Sequence, residues 1–281
     1  MTAAGAGKQC PACGGTDRVP LFSQGGWSVV RCAACGLGAL DPRPGPEETA
    51  ALYCDAYFAR RYDEGLVSGT PAMARRLSGE AHRIRFFRPF KKWGRVLDIG
   101  CGRGYFLLAC RESGYEVQGY DVSEEGAEFV RARLGIPVVT GPLEGVFEDA
   151  SFDVVTMWHS LEHMADPAAC IEAAGRFLKP GGVLVVDVPD YTGTDARMKW
   201  DEWENWDLPF HFYHFTPKAL HALLSRHGFA VARKKRYHSD VIKSRLRKVP
   251  GLGLIARPIA KLFSGSSYAV VAKRTSDGQG R

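Results

Sequence analysis

The sequence predicts an α/β fold, a doubly wound sheet of strands alternating with helices, preceded by a small amino-terminal unit of another kind. Three observations carry that expectation. Residues 96–99 form an apolar run that passes through glycines at 100, 102 and 104 into the helical pattern of 106–110, a strand, turn and helix start. Further short strand-like segments recur between helical stretches, at 116–120, 136–140, 152–157 and 182–188, with 152–157 written as a buried parallel strand would be. Upstream, four of the eight cysteines stand in two Cys-x-x-Cys pairs.

The chain has 281 residues, room for one large domain and one small one at about 100 to 200 residues per domain. Its 45% apolar and 24% charged content is that of a water-soluble globular protein. No apolar run approaches the roughly 18 residues that mark a membrane span, and no signal-like segment opens the sequence, so a cytoplasmic location is expected. The net charge of +6 permits contact with anionic lipid, nucleic acid or nucleotide without requiring any of them. Cys54, Cys101, Cys110 and Cys170 are scattered and suit small apolar packing.

Cys10, Cys13, Cys32 and Cys35, two pairs with 18 residues between them, have the spacing of a zinc ribbon over residues 1–45. Four thiolates make a closed tetrahedral site, which is structural, and so short a unit needs the metal's binding energy to fold. Two disulfides are the alternative, disfavoured in a reducing compartment. Between Cys10 and Cys35 only Arg18 and Arg31 are basic, a thin footprint for nucleic acid. The Pro-rich residues 41–46 end this unit. Residues 46–93 then read as a helical linker or lid. Tyr53, Tyr57, Phe58 and Tyr62 crowd its first part, where they either pack or face a cation; Arg75, Arg76, Arg83, Arg85, Arg88, Lys91 and Lys92 crowd the second.

Two glycine loops compete at 100–104. A dinucleotide loop places its third glycine at the sixth position, which here is Tyr105. Glycines spaced by twos behind Asp98, followed by Gly119-Tyr120-Asp121, instead resemble motif I and the ribose-binding acid of the class I S-adenosylmethionine (SAM) dependent methyltransferases. The segment Phe152-Asp153-Val154-Val155, followed by Trp158-His159-Ser160-Leu161-Glu162-His163-Met164-Ala165-Asp166-Pro167, is similar to the signature of their ubiquinone-methyltransferase-like branch. The turn at 178–184 resembles the same branch. The likeness spans about residues 94–236, and the ribbon in front of it also resembles sugar C-methyltransferases and bacterial natural-product methyltransferases, though without their long additional carboxy-terminal domain. It implies a Rossmann-like seven-stranded sheet over 94–274. It also implies SAM as cofactor, held by Asp98, Gly100, Cys101, Gly102, Gly104, Asp121, Val122, Leu143 and His159.

Methyl transfer to a hydroxyl needs alignment and a base, and histidine is the first candidate. His211 matches by position the base of the ribbon-bearing C-methyltransferases, although Phe210 stands where they have Glu; His163 and His214 are the other candidates. Glu162 and His163 also read as two ligands for a divalent metal. Trp200, Trp203 and Trp206, with the aromatics of 210–215, are read as a loop lining or covering an acceptor pocket. Thr216 and Pro217 open a helix to 227, on which His221 and His227 are expected at the surface. Strands follow at 229–233 and 267–273. Residues 237–265 form a basic and apolar insertion, either a cap on the substrate side or an amphipathic element on anionic membrane, and 275–281 is expected as a disordered tail.

The function that follows is methylation, at oxygen, of a small-molecule, sugar-linked or lipid-linked acceptor, with peripheral membrane contact an added expectation. An RNA methyltransferase that reads its substrate through the ribbon, a sugar C-methyltransferase, and a cofactor-binding protein without activity are the alternatives.

Overall fold

The computed structural model describes residues 9–45, 48 and 70–275. The aromatic helix expected at 47–62, Cys54 and all but the first residue of the tail lie outside them. Eleven strands and eight α-helices are described. In chain order they are β1 (Arg18–Gln24), β2 (Trp27–Cys32), β3 (Gly38–Leu40), α1 (Pro71–Phe87), β4 (Arg95–Ile99), α2 (Tyr105–Glu112), β5 (Glu116–Tyr120), α3 (Glu124–Leu134), β6 (Val138–Val139) and β7 (Phe152–Trp158). There follow α4 (Pro167–Phe177), β8 (Leu178–Pro189), α5 (Thr194–Lys199), β9 (Tyr213–His214), α6 (Pro217–Arg226), β10 (Phe229–His238), α7 (Asp240–Arg247), α8 (Ala256–Ala260) and β11 (Ser264–Arg274).

Seven strands form one sheet in the order β10-β11-β8-β7-β4-β5-β6, and β1-β2-β3-β9 form a second. The larger sheet is the expected Rossmann-like one, but it is mixed rather than wholly parallel. Its parallel part includes β4 with β5 and β7, and β5 with β6. The third expected strand shrinks from 136–140 to Val138–Val139, while the last two strands run longer than the apolar pattern suggested. The expected tight turn at 179–182 lies within β8, which bends at Gly181 with φ 74°.

The described residues divide into two units, one of 9–43, 161–168 and 187–270, the other of 44–160, 169–186 and 271–275. In the second, β4 and β7 read as near-continuous apolar runs because both faces are covered; Val96, Leu97, Ile99, Val154, Val155 and Met157 are all buried. Thr70 caps α1 by accepting from the Met73 N–H at 3.3 Å, and Pro71 takes the first helical position. The inner face of α1 brings Phe87 edge-on to Phe106 and Tyr115. Its one buried acid, Glu80, is held by Arg76 at 3.0 Å and Arg83 at 2.8 Å.

In the first unit, Phe22 of β1 stacks on Trp206 at 4.2 Å, and Trp206 also meets Trp203 and Trp200 edge-on. Trp200–Glu202 and Glu204–Trp206 are single turns of 3-10 helix where a loop was expected. Trp203 and Trp206 are buried in that packing, and only Trp200 remains partly exposed. His221, expected at the surface of α6, is half-buried and shares a 2.7 Å hydrogen bond with the Tyr268 hydroxyl.

Gly104 caps α2 at φ 71°, and a Cβ there would lie 2.8 Å from a Val130 methyl. Both the left-handed backbone and the contact resist a side chain, so Gly104→Ala should lower the unfolding free energy by about 1 to 3 kcal/mol. A urea midpoint unchanged from the native chain would refute this.

Candidate active site

The turn after β4 is built around one carboxylate. Asp121, at the end of β5, accepts from the Gly102 N–H at 2.8 Å and from the Ser123 N–H at 3.0 Å. The glycine turn is thereby fixed to the edge of the neighbouring strand. Gly100 sits at φ 80° against Ser160, where a Cβ would come within 2.4 Å of the serine Cβ, and the Ser160 hydroxyl donates to the Ile99 carbonyl at 2.6 Å. Cys101 is buried, and a Cβ on Gly119 would come within 2.7 Å of its sulfur. Burial, followed by the charges of Asp121 and Asp98, raises its thiol well above the usual range, so it acts as packing.

Asp98 lies within β4, buried, with the Thr156 hydroxyl donating to it at 2.6 Å. Burial is the main reason its carboxyl is pushed up to about 8; Thr156 and Arg83 oppose the shift, and Glu80 and Asp121 add to it. Of the remaining expected cofactor residues, Val122 is largely exposed, Leu143 is half-buried, and His159 is half-buried in a left-handed conformation at φ 54°. This donor set fits SAM. It offers the Asp121 carboxylate for ribose hydroxyls, the buried Asp98 carboxyl as a further polar group, a backbone freed of Cβ atoms, and an exposed apolar Val122 beside Asp121 for the base.

The histidines are brought together in the other unit. Glu162, His163 and His211 have ligand atoms within 4.8 Å of one another. The two imidazoles meet edge to face at 4.6 Å. His163 Nδ1 is 3.0 Å from the Phe210 carbonyl oxygen, and His211 Nδ1 is 2.8 Å from that of Asn205. A carbonyl can only accept, so each Nδ1 carries the proton and each Nε2 of a neutral ring keeps its lone pair. Asp207 sets a carboxylate oxygen 3.5 Å from His211 Nε2. His214 differs. It is buried against Trp206 at 5.0 Å with neither ring nitrogen hydrogen-bonded among the described residues. Burial pulls its pKa down to about 3, so it stays neutral.

The ribbon supports this segment directly. Gly38 and Ala39 of β3 pair with His214 and Tyr213 of β9, and the Leu40 N–H donates to the Phe212 carbonyl at 2.9 Å. The Thr216 hydroxyl donates to the Cys35 carbonyl at 3.2 Å. Lys218 Nζ donates to the Ala34 carbonyl, and the Tyr191 hydroxyl to that of Gly36. The four sulfurs lie within 4.8 Å of one another, with Cys10 to Cys35 at 3.6 Å and Cys13 to Cys32 at 3.5 Å. A tetrahedron of thiolates about 2.3 Å from zinc has edges of about 3.8 Å, so the set fits Zn²⁺. The sulfur hydrogen bond between Cys10 and Cys35 draws the Cys10 thiol down and pushes the Cys35 thiol up, so without a metal this pair shares one proton.

Sequence reasoning placed Glu162 and His163 side by side but did not bring His211 to them. It also missed Thr156, Ser160, Asn205 and Asp207. Asp207 lies four residues before His211, the one signal that could have been read.

A methyltransferase-domain family model matches residues 72–234, more than half of the sequence. The chain belongs to that family. Among its relatives, the ubiquinone biosynthesis O-methyltransferase of Idiomarina loihiensis is 36% identical over 97 residues, 32% of this chain and 40% of that protein. That of Paraburkholderia phymatum is 38% identical over 95 residues, 31% and 41%. The chain therefore spans about two fifths of the length of these curated relatives. A SAM-dependent methyltransferase structure from Archaeoglobus fulgidus superposes with a TM-score of 0.55 at 25% identity, covering 71% of this chain and 94% of that one. Family membership implies SAM as the cofactor.

Asp121→Ala should weaken S-adenosylhomocysteine binding by at least tenfold in calorimetry; an unchanged affinity would move the ribose site elsewhere. Because its carboxyl is raised in the fold from about 3.9 to about 8, Asp98 contributes stability that is fully present below pH 4 and is lost as pH rises to 8. Urea midpoints of the ligand-free chain should fall across that window, and Asp98→Asn should flatten the fall. Elemental analysis should find one zinc per chain, and chelation should raise hydrogen exchange at 203–216 while leaving 96–104 protected. Equal loss of protection in both segments would show that the ribbon does not support the histidine segment specifically.

Proposed function

We propose that the protein is a SAM-dependent methyltransferase that methylates an oxygen of a small-molecule, sugar-linked or lipid-linked acceptor, with His211 as general base. The observation that best supports this reading is the pair of imidazoles whose Nδ1 atoms face backbone carbonyls, which makes Nε2 the basic nitrogen of each neutral ring. SAM, when bound, supplies a methyl group on a sulfonium, which leaves as a neutral thioether. What remains for the chain's own residues is to align the acceptor and to remove one proton.

His211 is suited to the proton removal, since its tautomer is set by Asn205 and the Asp207 carboxylate beside Nε2 stabilises the imidazolium that forms. The backbone of 212–214 is held by β3, and the His211 N–H donates to the Asp207 carbonyl at 3.1 Å, so the ring is carried by backbone that is hydrogen-bonded on both sides. His214 is assigned to packing because gaining a proton in its buried place is unfavourable. Oxygen methylation is also what the printed names of the Idiomarina and Paraburkholderia relatives describe for those proteins.

A second reading has its own observation. Two histidines and one carboxylate that converge, each imidazole oriented through Nδ1 by a carbonyl, are also the donor set of a divalent metal site with open positions. Glu162, His163 and His211 would hold the ion, which would lower the pKa of an acceptor hydroxyl, and His211 would then be a ligand rather than a base. An RNA acceptor gains no support, since the ribbon has two basic residues between its first and last cysteines.

Turnover with radiolabelled SAM across a panel of phenols, sugars and prenyl-linked hydroxyl compounds tests both readings. For the acceptor found, His211→Ala should lower kcat by about 10² or more with unchanged S-adenosylhomocysteine affinity. Rates should be the same with and without added Mg²⁺ or Mn²⁺. A native rate in His211→Ala would remove it as the base, and a rate that appears only with added metal would favour the second reading.

A further inference from the structure

Residues 239–263 fold into two short helices and a connecting turn that bury small side chains and expose large ones. Ser239 caps α7 by accepting from the Ile242 N–H at 3.0 Å. In α8, Ala256 and Ala260 stand one turn apart and are fully buried. Leu254 is 94% exposed and Leu262 82%, with Val249, Ile255 and Phe263 also exposed. Of the eight large apolar side chains exposed among the described residues, five fall in 249–263. Scattered exposed leucines need no explanation, but a concentration of them on one small element does.

The connecting turn, Val249-Pro250-Gly251-Leu252-Gly253-Leu254-Ile255, has no charged residue and is bounded by Lys248 and Arg257. Gly251 takes φ 81°, and the Leu252 N–H donates to the Val249 carbonyl at 3.2 Å, so the tip is a tight turn that satisfies part of its own backbone. Six basic residues in 239–263 face one acid, Asp240. That acid is already paired with Lys243, which leaves Arg245, Arg247, Lys248, Arg257 and Lys261 exposed.

An uncharged apolar tip with cations at its shoulders matches the layering of an anionic bilayer, hydrocarbon beneath a plane of negative headgroups. The like charge of the same residues opposes a second copy of the chain on this face. We propose that the α7–α8 hairpin is a docking surface for anionic membrane, with Leu254 and Leu262 entering the acyl boundary and the surrounding lysines and arginines meeting lipid phosphates. Attachment of this kind is shallow and reversible. No helix among the described residues is long and apolar enough to cross a membrane.

The test is flotation of the full chain with vesicles of phosphatidylcholine alone, or with about one third phosphatidylglycerol. Binding is expected on the anionic vesicles alone, weakened at least tenfold between low and high salt, because exposed charges are screened within about a Debye length. Leu254→Glu with Leu262→Glu should reduce it at least tenfold, as should Arg247→Glu with Lys248→Glu. Both pairs should keep the native circular dichroism and S-adenosylhomocysteine affinity, since these side chains are exposed and lie outside the cofactor site. Failure of the native chain to float, equal binding to neutral vesicles, or full binding by the leucine variant would each overturn the proposal. So would a native dimer in sedimentation that the leucine variant dissolves, since a second copy would then cover the face.

Discussion

The cofactor side depends on one carboxylate that accepts two backbone N–H groups. Asp121 ties the glycine turn after β4 to the start of α3, a turn in which only Cys101 and Arg103 of residues 100–104 have side chains to pack. A glycine-rich loop has the largest conformational freedom to lose on ordering. Two charge-assisted hydrogen bonds at a buried site offset that loss more effectively than neutral ones would. Asp98 and Thr156 repeat the principle one strand inward: a buried acid is tolerated because a hydroxyl is fixed against it and the group can remain protonated.

The acceptor side is organised by a different force. Phe22, Trp203, Trp206 and Tyr191 supply apolar area, and the ribbon supplies main-chain partners through β3. Aromatic stacking fixes where residues 203–206 lie, the β3–β9 pairing fixes where 212–214 lie, and His211 sits between those two anchors. Its direction is then a consequence of backbone held at both ends. A metal bound at the four cysteines would act on this arrangement through Cys35 and Ala34, whose carbonyls accept from Thr216 and Lys218.

Much of this could be read in the sequence because its signals are local. The central strands β4, β7 and β8 announce themselves by runs of apolar residues, and the glycine spacing with Asp121 belongs to one supersecondary unit. The Thr216-Pro217 helix start is a matter of neighbouring residues, and the structure reproduces it with a 3.0 Å cap. Three features were not legible, for a common physical reason. The fourth strand of the ribbon sheet is contributed by Tyr213–His214, far from the cysteines, and a two-residue strand has no periodicity to detect. The meeting of Glu162 with His211 depends on the Phe212 N–H reaching the Glu162 carbonyl, a contact between distant parts of the chain. The burial of Trp203 and Trp206 is the third, because aromatic composition does not say which surface covers it, and Phe22, which stacks on Trp206, comes from the ribbon.

The pairing of β9 with β3 also bears on how such a chain can acquire new substrates. A segment that presents a histidine to a reactant is braced from behind by an element that precedes the Rossmann-like sheet in sequence. Changes of a few residues in β1, Phe22 above all, would therefore tilt the platform beneath Trp206 and reshape the acceptor side while leaving every cofactor-binding residue as it stands. On the proposed function, the amino-terminal hairpin would be an adjusting screw for selectivity, with variation in acceptor choice accumulating there as readily as around the histidines themselves.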